Sequence, residues 1–153
     1  MKYYILVALI GISLCCGAQN KLFKHYSDQE DVTSVIISKK MFTLIGGMSG
    51  LDVDGMPASM KGLTSKISGL QILSTENPAM AKEMKEAFKG LVGKTHEELM
   101  RVKDHNDKLI FYIKEKGDKI QELLMLNTEA SEFTVIRLEG LFTIEDIKGI
   151  TQD

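Results

Sequence analysis

From Glu97 onward the apolar residues stop recurring every three or four positions and begin to alternate, and no other feature constrains the fold as tightly. Glu97 to Asp104, Lys108 to Glu115, Lys119 to Asn127 and Glu132 to Gly140 read as four strands. Their connections are His105-Asn106-Asp107, Lys116-Gly117-Asp118 and Thr128 to Ser131. These are polar and too short for a crossover, so consecutive strands must be antiparallel neighbours. The carboxyl-terminal half is therefore expected to be a four-stranded meander. After it, Thr143 and Asp146 stand three apart in the pattern of a capping box, opening a last helix through Ile150.

Upstream, helical spacing prevails. Leu22, Phe23 and Tyr26 mark a short helix over Asn20 to Ser27, and the β-branched run Val32 to Ser38 reads as a strand. Lys39 to Ile45 follows as a helix closed by Gly46-Gly47, with a glycine-rich loop to Pro57 and a weaker helix near Ala58 to Ile67. Gly69 to Thr75 is a second strand. Asn77-Pro78 supplies an N-cap and a first-turn proline for a helix whose apolar stripe is Met80, Ala81, Met84, Ala87, Phe88 and Leu91, with Gly93 as its expected end. The sum is one α+β domain: a largely antiparallel sheet, the meander plus two earlier strands, with helices mainly on one face.

The chain begins Met1-Lys2, followed by an apolar run of 12 residues, Tyr3 to Leu14, and a small-residue exit, Cys15-Cys16-Gly17-Ala18. Spanning a bilayer takes roughly 20 residues, so this reads as a signal peptide over residues 1–18, cut between Ala18 and Gln19. The alternative is acylation at Cys15 or Cys16, which would tether the domain to a membrane. A periplasmic or secreted domain of residues 19–153 is expected, lipid-anchored to the envelope in the alternative. It keeps 18 basic and 21 acidic side chains and no cysteine, so a buried core must hold it without disulfides. That balance offers no surplus of cations for a nucleic acid.

The candidate chemistries are weak. Gly93-Lys94-Thr95 ends like a phosphate-binding loop, but the glycine needed five residues earlier is Phe88, and the motif sits at a helix carboxyl end, the wrong pole for phosphate. Nucleotide binding is not expected. Asp52-Val53-Asp54-Gly55 lacks the closing glutamate of a calcium loop and reads as a turn. Asp104-His105-Asn106-Asp107 reads as a solvated hairpin tip, and His25 and His96 lack metal-ligand spacing. With no nucleophile, base and orienting group in evident reach, neither an enzyme, a metal site nor a cofactor is expected.

Along Lys108 to Glu115, Leu109, Phe111 and Ile113 share one face and Ile110 and Tyr112 the other, so both faces carry apolar groups. One face takes the helices. The other is the candidate partner surface, assigned to Met100, Val102, Ile110 and Tyr112, with Phe133 and Val135 as further contributors. An exposed strand edge is a second candidate.

Val32 to Phe42 (VTSVIISKKMF), Gly69 to Glu86 (GLQILSTENPAMAKEMKE) and Glu98 to Asp146 resemble the family catalogued as domain of unknown function 4252, exported proteins of Gram-negative bacteria. The resemblance covers nearly all of residues 19–153 and rests on strands, turns and caps. It implies a small periplasmic or envelope-associated domain and carries no catalytic residue. The expected function is thus a non-catalytic envelope protein that binds another protein. The alternative is a carrier for a small apolar ligand between the sheet and the methionine-bearing helices.

Overall fold

The computed structural model describes residues 14–47 and 65–148. The elements are α1 (Leu14–Ser27), β1 (Thr33–Ser38), α2 (Lys39–Gly47), β2 (Ile67–Thr75), α3 (Pro78–Thr95), β3 (Glu97–Asp104), β4 (Asp107–Lys116), β5 (Lys119–Thr128), β6 (Phe133–Phe142) and α4 (Ile144–Lys148). The turn expected at Asp52 to Gly55 and the start of the helix expected near Ala58 lie outside the described residues. At that helix's expected end, Ile67 already belongs to a strand.

The fold is α+β, with one open six-stranded sheet in the order β1-β2-β6-β5-β4-β3, antiparallel throughout. The meander is β3 to β6, and the earlier hairpin-like pair joins it through β2 against β6. Strands β2 and β3, adjacent in sequence, are thus separated by three others, about 19 Å at the usual strand spacing. The 18-residue α3 covers about 27 Å, long enough to carry the chain across that distance over one face of the sheet.

Two helices begin or end elsewhere than the sequence suggests. Helix α1 starts at Leu14, six residues before Asn20, and runs unbroken through Ala18 and Gln19. Helix α3 continues through Gly90 and Gly93 to Thr95. Neither glycine has a neighbour within 4 Å of where a Cβ would stand, and the only glycine among the described residues with positive φ is Gly117, in the β4–β5 turn. Gly93 therefore makes no C-cap; the amide of His96 donates to Val92 O and closes the helix instead.

Directly opposed residues of an antiparallel pair share a face. Leu73, Val135, Leu124, Leu126 and Phe133 line the face under α1 and α3, where they meet Phe23, Tyr26, Met84, Phe88 and Val92. Phe88 is the hub, with its ring 5.1 Å from Phe23, 5.9 Å from Tyr26 and 6.5 Å from Phe133. A smaller cluster of Ile67, Ile113, Ile120 and Phe142 lies at one end of the opposite face, with Phe42 of α2 against it.

Candidate functional site

The four residues assigned to a common partner face divide between two faces. Ile110 is 4% exposed, and Tyr112 packs against the core under the helices; Phe133 and Val135 are buried there too. Met100 and Val102 stand on the other face, 48% and 47% exposed. The cause is a bulge in β3: Glu98 pairs with Tyr112, but Met100 pairs with Phe111, so Leu99 is the extra residue and the parity of the strand reverses beyond it. Glu98 and Arg101 thereby come to one side, where Arg101 Nε and Nη2 donate to the Glu98 carboxylate at 2.8 and 2.5 Å.

The face away from α1 and α3 carries an unbroken cross-strand row. Following the register from edge to edge, Val35 opposes Ile72, then Ile136, Met125, Phe111 and Met100. All six side chains are apolar. Val35 and Met100 are exposed and the four between them half-buried. The adjacent row, Thr33, Ser74, Thr134, Asn127, Leu109 and Val102, starts polar at β1 and becomes apolar at β4 and β3. The row on the other side of the rib contains Leu138, Leu123 and Ile113, which meet Phe42 in the smaller cluster. The alternation separates the faces of β4 as expected, but α1 and α3 lie on the Ile110 and Tyr112 face, which leaves Leu109 and Phe111 on the side away from these helices.

The two sheet edges differ in kind. All eight residues of β3 are exposed, five are charged, and the strand is bulged. Strand β1, TSVIIS, has no charge, proline or bulge, and Ile36 is 63% exposed. Charges and bulges are the usual guards against strand addition. Only β1 lacks them.

Beneath the helices lies a polar cluster built from five elements and the α3–β3 junction. Glu122 of β5 accepts from Gln19 of α1, faces His96 Nε2 at 2.7 Å and accepts from Arg137 Nε at 3.2 Å. Arg137 Nη1 donates to Asn20 Oδ1 at 3.0 Å and Gln71 Oε1 at 3.1 Å, and Nη2 to Glu139 at 2.5 Å. Its guanidinium carbon is 5.0 Å from the centre of the Phe23 ring. The Thr95 hydroxyl donates to Leu91 O at 3.0 Å and lies 2.6 Å from His96 Nδ1, so both imidazole nitrogens face oxygens. Burial pushes the Glu122 carboxyl up, but the His96 hydrogen bond and the Arg137 charge outweigh it and hold the group below the ordinary range. Among the described residues no buried side-chain polar atom lacks a partner. Each group is engaged by another, so the cluster clamps α1 and the start of β3 to the sheet.

The other expected features fall as follows. His105, at φ 49°, sits in a two-residue turn with its side chain 93% exposed and Nδ1 2.6 Å from Asp104. Between α3 and the sheet the space is filled by Met84 and Phe88, both fully buried. A cavity of about 250 Å³ lies instead between α1 and the β1–β2 pair, lined among others by Asn20, Lys24, Gln71 and Arg137. Ala18 and Gln19 lie within α1, and Gln19 is 2% exposed. Among the described residues, no helix is long and apolar enough to cross a membrane.

Fold and surface together define a small α+β protein with an open sheet, its long helices on one side and an apolar rib on the other. A family model, Domain of unknown function (DUF4252), matches residues 26–150, and the chain belongs to that family. No curated protein and no solved structure matches it.

Proposed function

We propose that this chain is a non-catalytic protein of the cell envelope that acts by binding another protein across the sheet face opposite α1 and α3. The observation that carries the reading is the row Val35, Ile72, Ile136, Met125, Phe111, Met100, apolar from edge to edge. Half-exposed apolar side chains contiguous across six strands form a patch of the kind that marks an interaction surface. The β1 edge, unpaired among the described residues, adjoins the rib, so an extended partner segment can add backbone hydrogen bonds where the apolar contact begins. The envelope location rests on the apolar leader and the small residues before Gln19. A carrier for an apolar ligand draws less support, since Met84 and Phe88 fill the space between α3 and the sheet, and the cavity beside α1 sets Arg137, Lys24, Gln71 and Asn20 beside its apolar lining of Phe23, Ile36 and Leu73.

A photoreactive side chain at Phe111, with the same group at exposed Glu86 of α3 as control, tests the surface in native envelopes. A discrete adduct at Phe111, absent at Glu86 and lost in a Met100→Asp background, is expected. Equal labelling at both positions, or none at Phe111, overturns the assignment.

A further inference from the structure

Strand β1 reads alike in both directions about its centre. On either side of Ile36 stand Val35 and Ile37, then Ser34 and Ser38. Antiparallel pairing with the same strand of a second copy, about a two-fold axis normal to the sheet at Ile36, sets Ile36 against Ile36, Val35 against Ile37 and Ser34 against Ser38. Every pair matches in polarity. Moving the axis one residue, to Val35, would set Ser34 against Ile36 and Thr33 against Ile37, so the strand itself selects one register. Ile36 is 63% exposed, and no strand among the described residues pairs with the outer side of β1.

The two ends of the strand carry opposite charge. Glu30 and Asp31 precede it and Lys39 and Lys40 follow it, all four exposed. Glu76 adds to the acidic end, where Lys24 of α1 lies beside Ser34. At the basic end Glu139 approaches Gly69, which pairs with Ser38, but Arg137 Nη2 already holds that carboxylate. The ends therefore stay unlike. An antiparallel copy lays each acidic end beside a basic one, whereas a parallel strand would lay like on like. The lysines also stand in need of that complement: they open α2, which has no acidic residue in its first turn, so cations occupy the positive pole of a helix. Neither has an ion-pair partner among the described residues.

We propose that β1 is the contact edge of a homodimer, paired antiparallel with β1 of a second copy about Ile36. Self-complementary letters, unlike ends and an α2 pole without its acid all select the chain's own strand as the occupant. The axis is normal to the sheet, so both copies keep α1 and α3 on one side and both apolar ribs stay open on the other. Dimerisation thus goes beyond the protein-binding face and leaves it available.

The test is sedimentation equilibrium of the protein purified from its envelope, over a range of concentrations. A reversible dimer is expected, weakened by rising salt. Ile36→Lys opposes a lysine to itself at the axis and should be monomeric at concentrations where the parent is dimeric. Val102→Lys, on the far edge and also exposed, should leave the dimer intact. Charge exchange then reads the direction of pairing. Glu30→Lys with Asp31→Lys makes both ends basic, and Lys39→Glu with Lys40→Glu makes both acidic; each variant alone should associate about 10-fold more weakly. An equimolar mixture should recover the parent's affinity as a heterodimer. A monomer at every concentration, a dimer indifferent to Ile36→Lys, or a mixture no stronger than its parts overturns the proposal. Self-association and labelling at Phe111 are separate readouts, so loss of one leaves the other standing.

Discussion

Polar side chains join the buried rings of Phe23 and Tyr26 in fixing α1 on the sheet. Glu122 and Arg137 have side chains 5% and 6% exposed, and each is satisfied largely by the other's neighbours. Replacing Arg137 with Met keeps the packing volume near Phe23 but strips Glu122 of its cation. We expect a loss of about 3–5 kcal/mol in denaturant unfolding, the usual cost of breaking one side of a buried pair. The same geometry sets an acid limit. Because the folded Glu122 carboxyl titrates below its unfolded value, its contribution is present above that value, about pH 4.3. It is lost as pH falls through the lower folded value. Stability measured against pH should therefore fall less steeply on the acid side in Glu122→Gln than in the parent. Part of this was legible in the sequence: Glu122 alternates in phase with Leu124 and Leu126, and an acid at an inward position demands a partner. His96 and Gln19 were not legible as those partners, because they come from far along the chain.

Element boundaries divide into those written locally and those imposed by the whole. The start of α3 is local, with Asn77 Oδ1 accepting from Ala79 N at 3.0 Å and Met80 N at 3.2 Å, as its Asn-Pro pair suggests. The capping box at α4 is local too, Thr143 N donating to Asp146 at 2.8 Å and Asp146 N to Thr143 at 3.3 Å. The bulge at Leu99 has no such mark. A leucine in an alternating strand announces nothing, yet it reversed the outward set of β3 and with it the grouping of Met100 and Val102 with Ile110 and Tyr112. Where β2 and β6 cross at their own bulge, Gly140 approaches so closely that a Cβ would collide with Lys66 O and lie 3.1 Å from Ile67 Cα and Phe142 Cδ1. Lys66 O is also held by the amide of Leu141 at 3.0 Å and cannot withdraw freely. Gly140→Ala should cost about 1–3 kcal/mol on denaturant unfolding, from overpacking.

At the scale of the molecule, class and meander could be read from the change of period at Glu97, but the strand order could not. Pairing of β2 with β6, 58 or more residues away, depends on α3 crossing the sheet, a consequence of packing and not of any turn. Among the described residues the same order leaves β1 and β3 as the two borders, one bare and one studded with charge. Growth at such a sheet is polar. A neighbour that zips onto the bare border finds the far border shut, and two copies joined bare side to bare side would present only shut ones. Assembly by that route halts at a pair, which separates this architecture from the self-templating stacks that an open sheet otherwise invites.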